Sequence, residues 1–366
     1  MSPVMTGKER IFKALDLAEP DTVPVFEMGI NEASIVNLGK QFTDKVPEIK
    51  HITDMDLEEQ LQYMDLLSLI LKELGNDGIS TVFIIRKERV GEDLARDKYG
   101  TTYHLSEVGE PVPVEGPVQS VADIAKLTFE PDPGDYAMLQ YLVSTMGNEV
   151  AHFFAIPDLF RFSWQLRGGM DKLLLDYMRN EELALALARV TTDFCKAALG
   201  MARDNGADVI ILEGDLAFNT STLMSPDQYR KFIKPYHEEI MSYCHERGMK
   251  AVKHSDGNLW PILDDLMEAG FDGIHPFQPQ CMDIKEAKEH MKGKAAVVGN
   301  IDCSFLLPFG TVEEVEQSVR ETIAAAAPGG GYIISSSNSI HPGCKPENYI
   351  AMVKAARKYG AYPINL

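Results

Sequence analysis

The sequence predicts an α/β protein built as a (β/α)8 TIM barrel, and three observations carry that reading. Short apolar runs that end in polar clusters alternate with helical segments along most of the chain, a pattern that implies parallel strands joined by helices. Eight such runs occur in 366 residues, a length suited to one closed barrel. No glycine-rich phosphate loop follows the first run, which counts against an open dinucleotide-binding sheet.

The first three strands are expected at Thr22–Phe26 (TVPVF), Thr81–Arg86 (TVFIIR) and Ala151–Ile156 (AHFFAI). Phe153, Phe154 and Phe160 read as core. Between the second and third strands, at about residues 87–135, lies an insertion. Its KYGTTYHL and GEPVPVEGPV segments alternate apolar and β-branched residues, which predicts a hairpin laid over one end of the body. Asp208–Glu213 (DVIILE) is the fourth strand. A helix follows from Ser225 to Gly248, with Ser225 as cap, Pro226 at its first position and Gln228 completing a capping box. AVKH, FDGIHPF, AAVVGNI and GYIISSS supply the remaining strands. Thr311 and Glu314 form a second capping box, ahead of a stripe of Val312, Val315, Val319 and Ile323. PENYIAMVKAARKYG closes the chain as an amphipathic helix, and no linker divides it, so a single domain over residues 1–366 is expected.

Composition narrows the function classes. Lys plus Arg number 35 against 55 Asp plus Glu, a formal charge of −20. A surface this acidic repels phosphate backbones and anionic lipid, so neither nucleic acid nor membrane is an expected partner. The N-terminal stretch lacks the apolar core of a secretory leader and no segment is long and apolar enough to span a bilayer, so a cytoplasmic protein is expected. Five cysteines at irregular spacing, with no CxxC pair, argue for reduced thiols and against a disulfide framework.

In a barrel of this kind the chemistry sits at the C-terminal strand ends. Read in order, these ends carry Glu213 and Asp215, His254 and Asp256, His275, then Asn300, Asp302 and Cys303, and finally Ser335 to Asn338, with His341 and Cys344 in the next loop. Catalytic zinc takes about three N, S or O ligands and keeps one position open. His254 and Cys344 offer imidazole and thiolate, and Asp256, Cys303 or Glu213 is available as the third ligand. Turn capping explains Glu213 and Asp215 equally well, and a lone cysteine is commonly an inert core residue. Without metal, Asp215 or Asp256 can serve as acid–base groups. His237 and His245 fall on a helix, the first expected at the surface, and neither is assigned a role.

MTGKERIFKALDLAEPDTVPVF, GDLAFNTSTLMSP, KHSDGN, VVGNIDCSFLLPFGT and SSSNSIHPGCKPENYIAMVKAARKYG resemble, in order and spacing, the uroporphyrinogen decarboxylase superfamily over residues 5–360. The resemblance implies a (β/α)8 barrel and one of two chemistries: porphyrinogen decarboxylation, or methyl transfer to or from a corrinoid (cobalamin) cofactor on a separate protein. The decarboxylases carry an arginine-rich N-terminal signature, whereas EPDTVPVFEMGINEASI contains no arginine. The methyltransferase branch binds zinc through His-x-Cys and a late cysteine. Here His254 and Cys344 match that pattern, and Asp256 stands where the middle cysteine is expected. The expectation is therefore a zinc methyltransferase acting with a corrinoid protein on a small substrate, as the O-demethylase component for a methoxylated aromatic. Asp215, Asn300 and Asn338 would orient that substrate. A metal-independent decarboxylase or lyase of a non-porphyrin acid is the alternative.

Overall fold

A computed structural model describes residues 4–50, 54–105, 111–128 and 130–366. Its centre is a curled, wholly parallel sheet of seven strands: β1 (Gly78–Val82), β6 (Ala151–Pro157), β7 (Val209–Glu213), β8 (Lys250–His254), β9 (Gly273–His275), β10 (Ala296–Val298) and β11 (Tyr332–Ile333). Each strand is adjacent to the next in sequence order, as helical crossovers between parallel strands require.

Alternation along the strands sorts side chains into two layers. One set, Ala151, Phe153, Ala155, Val209, Ile211, Val252, Ala296, Val298 and Ile333, fills the concave side with Phe26. The intervening residues, among them Phe154, Ile156, Ile210, Leu212, Ala251, Ile274 and Val297, belong to the larger cluster under the helices. Phe153, Phe154 and Phe160 are buried as expected. The helix Gly7–Leu15, started by a Thr6/Glu9 capping box, adds Ile11, Ala14 and Leu15 to the inner cluster. It sits at the N-terminal strand ends, where the amide of Lys8 donates to the Glu149 carbonyl just before β6 (3.3 Å).

Three expectations about the strands need correction. The run expected as the first strand, Thr22–Phe26, makes bridges and not a ladder. Val25 bridges Ile334 in parallel, Phe26 N donates to Ile334 O (3.0 Å), and Asp77 N donates to Val25 O (2.9 Å). The prolines at 20 and 24 withhold donors there. The second strand is Gly78–Val82, earlier than Thr81–Arg86; the Phe83 amide still donates to the Ala155 carbonyl (2.7 Å), after which the chain leaves the sheet with Phe83 and Ile85 buried. The insertion holds more than a hairpin: β2 (Lys87–Arg89), β3 (Leu94–Asp97), β4 (Thr102–His104) and β5 (Val112–Glu115) form a four-stranded antiparallel sheet.

The helices follow their caps. Ser225 with Gln228 and Thr311 with Glu314 form the expected boxes, and Val315, Val319 and Ile323 are buried while Val312 is exposed. The helix expected from Ser225 to Gly248 is broken into Pro226–Phe232 and Lys234–His245. Pro235 has no N–H to give and its ring clashes with the preceding turn. Among the described residues no helix is long and apolar enough to cross a membrane.

Candidate metal centre

Register brings the candidate residues together. Glu213 on β7 pairs with His254 on β8, and His254 pairs with His275 on β9. Side chains at the same register point to the same face of a sheet, so the two imidazoles meet at the strand ends, Nδ1 to Nδ1, at 2.7 Å. Beyond the ladder the loops continue this convergence. The Leu216 amide donates to Ser255 Oγ (2.9 Å), and the Asp256 amide donates to Asp215 Oδ1 (3.0 Å). The same Asp215 oxygen lies 3.9 Å from His254 Nε2.

Asp215, His254 and Asp256 each offer one ligand atom, and these atoms all lie within 4.8 Å of one another. Among the described residues this is the one such group of three or more. His254 is buried, Asp256 half-buried and Asp215 exposed, so the group opens on one side. Asn338 Nδ2 donates to Asp256 Oδ2 at 2.5 Å, while Asp256 Oδ1 is buried with no hydrogen-bond partner. An orphaned carboxylate oxygen beside an imidazole is a costly arrangement unless a cation or proton answers it. Burial pushes the Asp256 carboxyl up to about 6; His254 opposes this, Asp215 adds to it, and the Asn338 hydrogen bond opposes it.

His275 explains how His254 is aimed. Burial, then the neighbouring His254, drives the His275 imidazole well below its usual value, so it is neutral. The 2.7 Å contact allows His254 to donate from Nδ1 to His275 Nδ1, and in that tautomer His254 Nε2 carries the free lone pair within reach of Asp215 and Asp256. Outer partners of this kind fix tautomer and ring orientation in metal-binding histidines. The residues present therefore suit a divalent ion held by one nitrogen and two carboxylates.

The remaining candidates stand outside this group, each for a local reason. Glu213 is ion-paired with Arg161. The Cys344 thiol donates to the Cys303 carbonyl (3.6 Å) and Cys303 accepts from Ser337 Oγ (3.4 Å). Burial pushes these thiols up, to about 12 and about 11 respectively. His341 is saturated: Nε2 donates to Cys303 O (2.8 Å) and Nδ1 accepts from Gly343 N (3.1 Å). Asn300, expected at the substrate, donates from Nδ2 to Phe277 O (2.7 Å) and so locks the loop after β9. Asn338, likewise expected at substrate, holds Asp256. Asp302 caps its own turn by accepting from Ser304 N (2.7 Å) and Phe305 N (3.1 Å).

Glu27 was missed. It ends the Thr22–Phe26 run, is 4 % exposed, and accepts from Ser336 Oγ (2.6 Å) and Ser336 N (3.2 Å). Its signal in the sequence is its place at the polar end of the first apolar run, the same place Glu213 and His254 hold in theirs. Gly257 is a further constraint. At φ +87° a Cβ would stand 2.6 Å from the Phe218 carbonyl oxygen, the acceptor of the Asn258 amide (2.8 Å). Gly257→Ala is expected to cost about 1–3 kcal/mol in backbone strain alone and to displace Asp256. Urea denaturation of the variant measures the first effect and metal titration the second.

Comparison with known proteins bears on the family. The model described as Uroporphyrinogen decarboxylase (URO-D) matches residues 95–359. A uroporphyrinogen decarboxylase of Pseudoalteromonas atlantica is 26% identical over 271 residues, covering 70% of this chain and 73% of that protein. The methylcobamide:CoM methyltransferase MtaA of Methanosarcina barkeri is 27% identical over 172 residues, 47% of this chain and 48% of that one. A solved structure described as a methyltransferase from Methanosarcina mazei superposes with a TM-score of 0.74 at 20% identity, covering 97% of this chain and 99% of that one, which speaks for a shared fold. With the family match spanning most of its length, the chain belongs to the uroporphyrinogen decarboxylase family.

Proposed function

We propose that this protein is a zinc-dependent methyltransferase that moves a methyl group between a small substrate and a corrinoid carried on a separate protein. The observation that carries the reading is the meeting of Asp215, His254 and Asp256 within a metal's reach, with Asp256 Oδ1 buried and unpartnered. Kinship with proteins named methylcobamide:CoM methyltransferases supports methyl transfer as the chemistry. On this reading the Val23–Phe26 segment is the eighth stave of a single barrel domain spanning residues 1–366.

When bound, zinc supplies a Lewis acid that polarises the oxygen from which a methyl group departs. The protein's own contribution is placement. His275 holds His254 with Nε2 toward the other two ligands, and Asn338 engages one oxygen of Asp256 and leaves the other for the ion. Asp215, on the exposed side, borders the face a substrate would enter. Two carboxylates and one imidazole leave the ion more electron-poor than thiolates would. That suits a methyl ether, with a methoxylated aromatic as the substrate to test first, better than activation of a thiol.

The test mixes reduced corrinoid protein with candidate methyl ethers and follows the corrinoid absorbance. A change that requires the ether, stops with chelator and returns with zinc supports the reading. The absence of stoichiometric metal, together with chelator-insensitive release of CO2 from a small acid, would replace it with the decarboxylase reading that the decarboxylase relatives favour. A porphyrinogen is disfavoured even then, because residues 19–35 contain no arginine to pair its carboxylates. Because Cys344 lies on the Cys303 carbonyl and outside the donor group, Cys344→Ser is expected to keep wild-type zinc content by elemental analysis, with turnover within about threefold. Loss of zinc in that variant would return Cys344 to the ligand set.

A further inference from the structure

Lys253 has no accessible surface, nor has Asp158, the carboxylate it faces. Its Nζ lies 2.8 Å from Asp158 Oδ2, 2.7 Å from the Gly214 carbonyl, 2.8 Å from the His254 carbonyl and 3.3 Å from the Leu212 carbonyl. An ammonium so enclosed cannot reach a substrate, so a nucleophilic or Schiff-base role is excluded by access. What it touches is informative. Gly214 immediately precedes Asp215, and His254 is itself the imidazole of the donor group.

Asp158 is held in turn. Its Oδ1 accepts from the Arg161 amide (2.8 Å) and caps the helix Leu159–Arg167. Its Oδ2 also meets His237 Nε2 (3.3 Å), whose Nδ1 meets the Tyr229 hydroxyl (3.0 Å). His237, expected at the surface, is fully buried in this network. Burial pushes the Asp158 carboxyl up, but the Lys253 charge and His237 outweigh it and bring it to about 2. Gly214 permits the approach, since a Cβ there would stand 2.2 Å from Asp158 Oδ1.

We propose that Lys253 is a positioning residue. It ties together, through backbone carbonyls, the two strand ends that present Asp215 and His254. Stability alone is a poor reason for the pair, because a buried ion pair is commonly no more stabilising than apolar residues of the same volume. The carbonyls it bonds also lie where the β7–β8 ladder stops, at Glu213 and His254. Lys253 thus extends the register by one further tie, and with it the spacing of the two donors. The proposal deepens the metal-centre reading, but it concerns the spacing of the side chains and can be read without any ion.

The experiment compares wild type with Lys253→Met/Asp158→Asn, which removes both charges and strands neither. Two signals are followed: Co2+ affinity from the visible absorption of the bound ion, and the imidazole 1H–15N correlations of His254 and His275. The expected result is a cooperative melt, Co2+ affinity reduced by about 10–100-fold, and displaced His254–His275 correlations. A double variant with wild-type Co2+ affinity and unchanged imidazole signals overturns the proposal. If wild type binds no Co2+, the metal reading fails and the imidazole signals alone decide the role of Lys253. If the apolar pair melts too low, Lys253→Gln/Asp158→Asn keeps amide donors at the same carbonyls and carries both measurements. In that variant the carbonyl ties persist, so imidazole signals and Co2+ affinity close to wild type are expected, and displaced signals in a protein that still melts cooperatively overturn the proposal.

Discussion

His254→Gln is expected to lose bound metal and to reduce methyl transfer by about 10^3-fold or more. A Lewis-acid centre contributes several kcal/mol to its transition state, and about 4 kcal/mol corresponds to that factor. Glutamine keeps a polar group of similar reach beside His275, so the strand end has little reason to collapse, but its amide is a weak ligand for zinc. The loss should exceed the roughly 10–100-fold that changes in outer partners cost, which places His275→Gln between His254→Gln and wild type. His341→Gln is the control, since that ring is engaged by Cys303 O and Gly343 N and lies outside the donor group. Elemental analysis of reconstituted protein and the corrinoid assay measure both effects. A His254→Gln protein with one metal per chain would remove the imidazole from the site.

The contrast between His254 and Cys344 shows what a sequence conveys about such a site. Local signals were legible. The capping boxes at Ser225 and Thr311 depend on residues three apart, and both form. The strand-end position of His254 followed from the apolar run before it. The partner of each side chain was not legible, because partners come from other elements. Nothing near Glu213 announces Arg161, and nothing near Cys344 announces the Cys303 carbonyl. A donor type at a strand end therefore marks a residue as able to ligate, while its distance from the next donor is set by register and loop hydrogen bonds. Two strands of the insertion were illegible for a related reason: KER and LARD are too polar and too short to read as strands, and antiparallel pairing makes them so.

Glu27 yields the other large effect, on stability. Burial pushes its carboxyl up to about 8, against the opposing hydrogen bonds from Ser336. In the unfolded chain the same group titrates near its ordinary value of 4.5. Between those two values the folded protein binds the extra proton, so stability must fall as pH rises through that window. Below pH 4.5 both states are protonated and nothing is lost; above pH 8 the full penalty applies, on the order of 5 kcal/mol as an upper figure. Glu27→Gln removes the titration and keeps a neutral side chain of the same shape, whose amide can donate to Ser336 Oγ while its carbonyl accepts from Ser336 N. The variant is therefore expected to match wild type in urea at pH 4.5 and to exceed it increasingly toward pH 9. A wild-type midpoint that does not decline relative to the variant over that range would mean that Glu27 is ionised in the fold at neutral pH. A buried negative charge would then stand near Cys303 and Cys344, both of which lie within its electrostatic reach. With Glu27 protonated, the wall contributed by Ser336 is neutral at physiological pH, and the charge at the mouth is concentrated on Asp215 and Asp256, where a cation is proposed to sit.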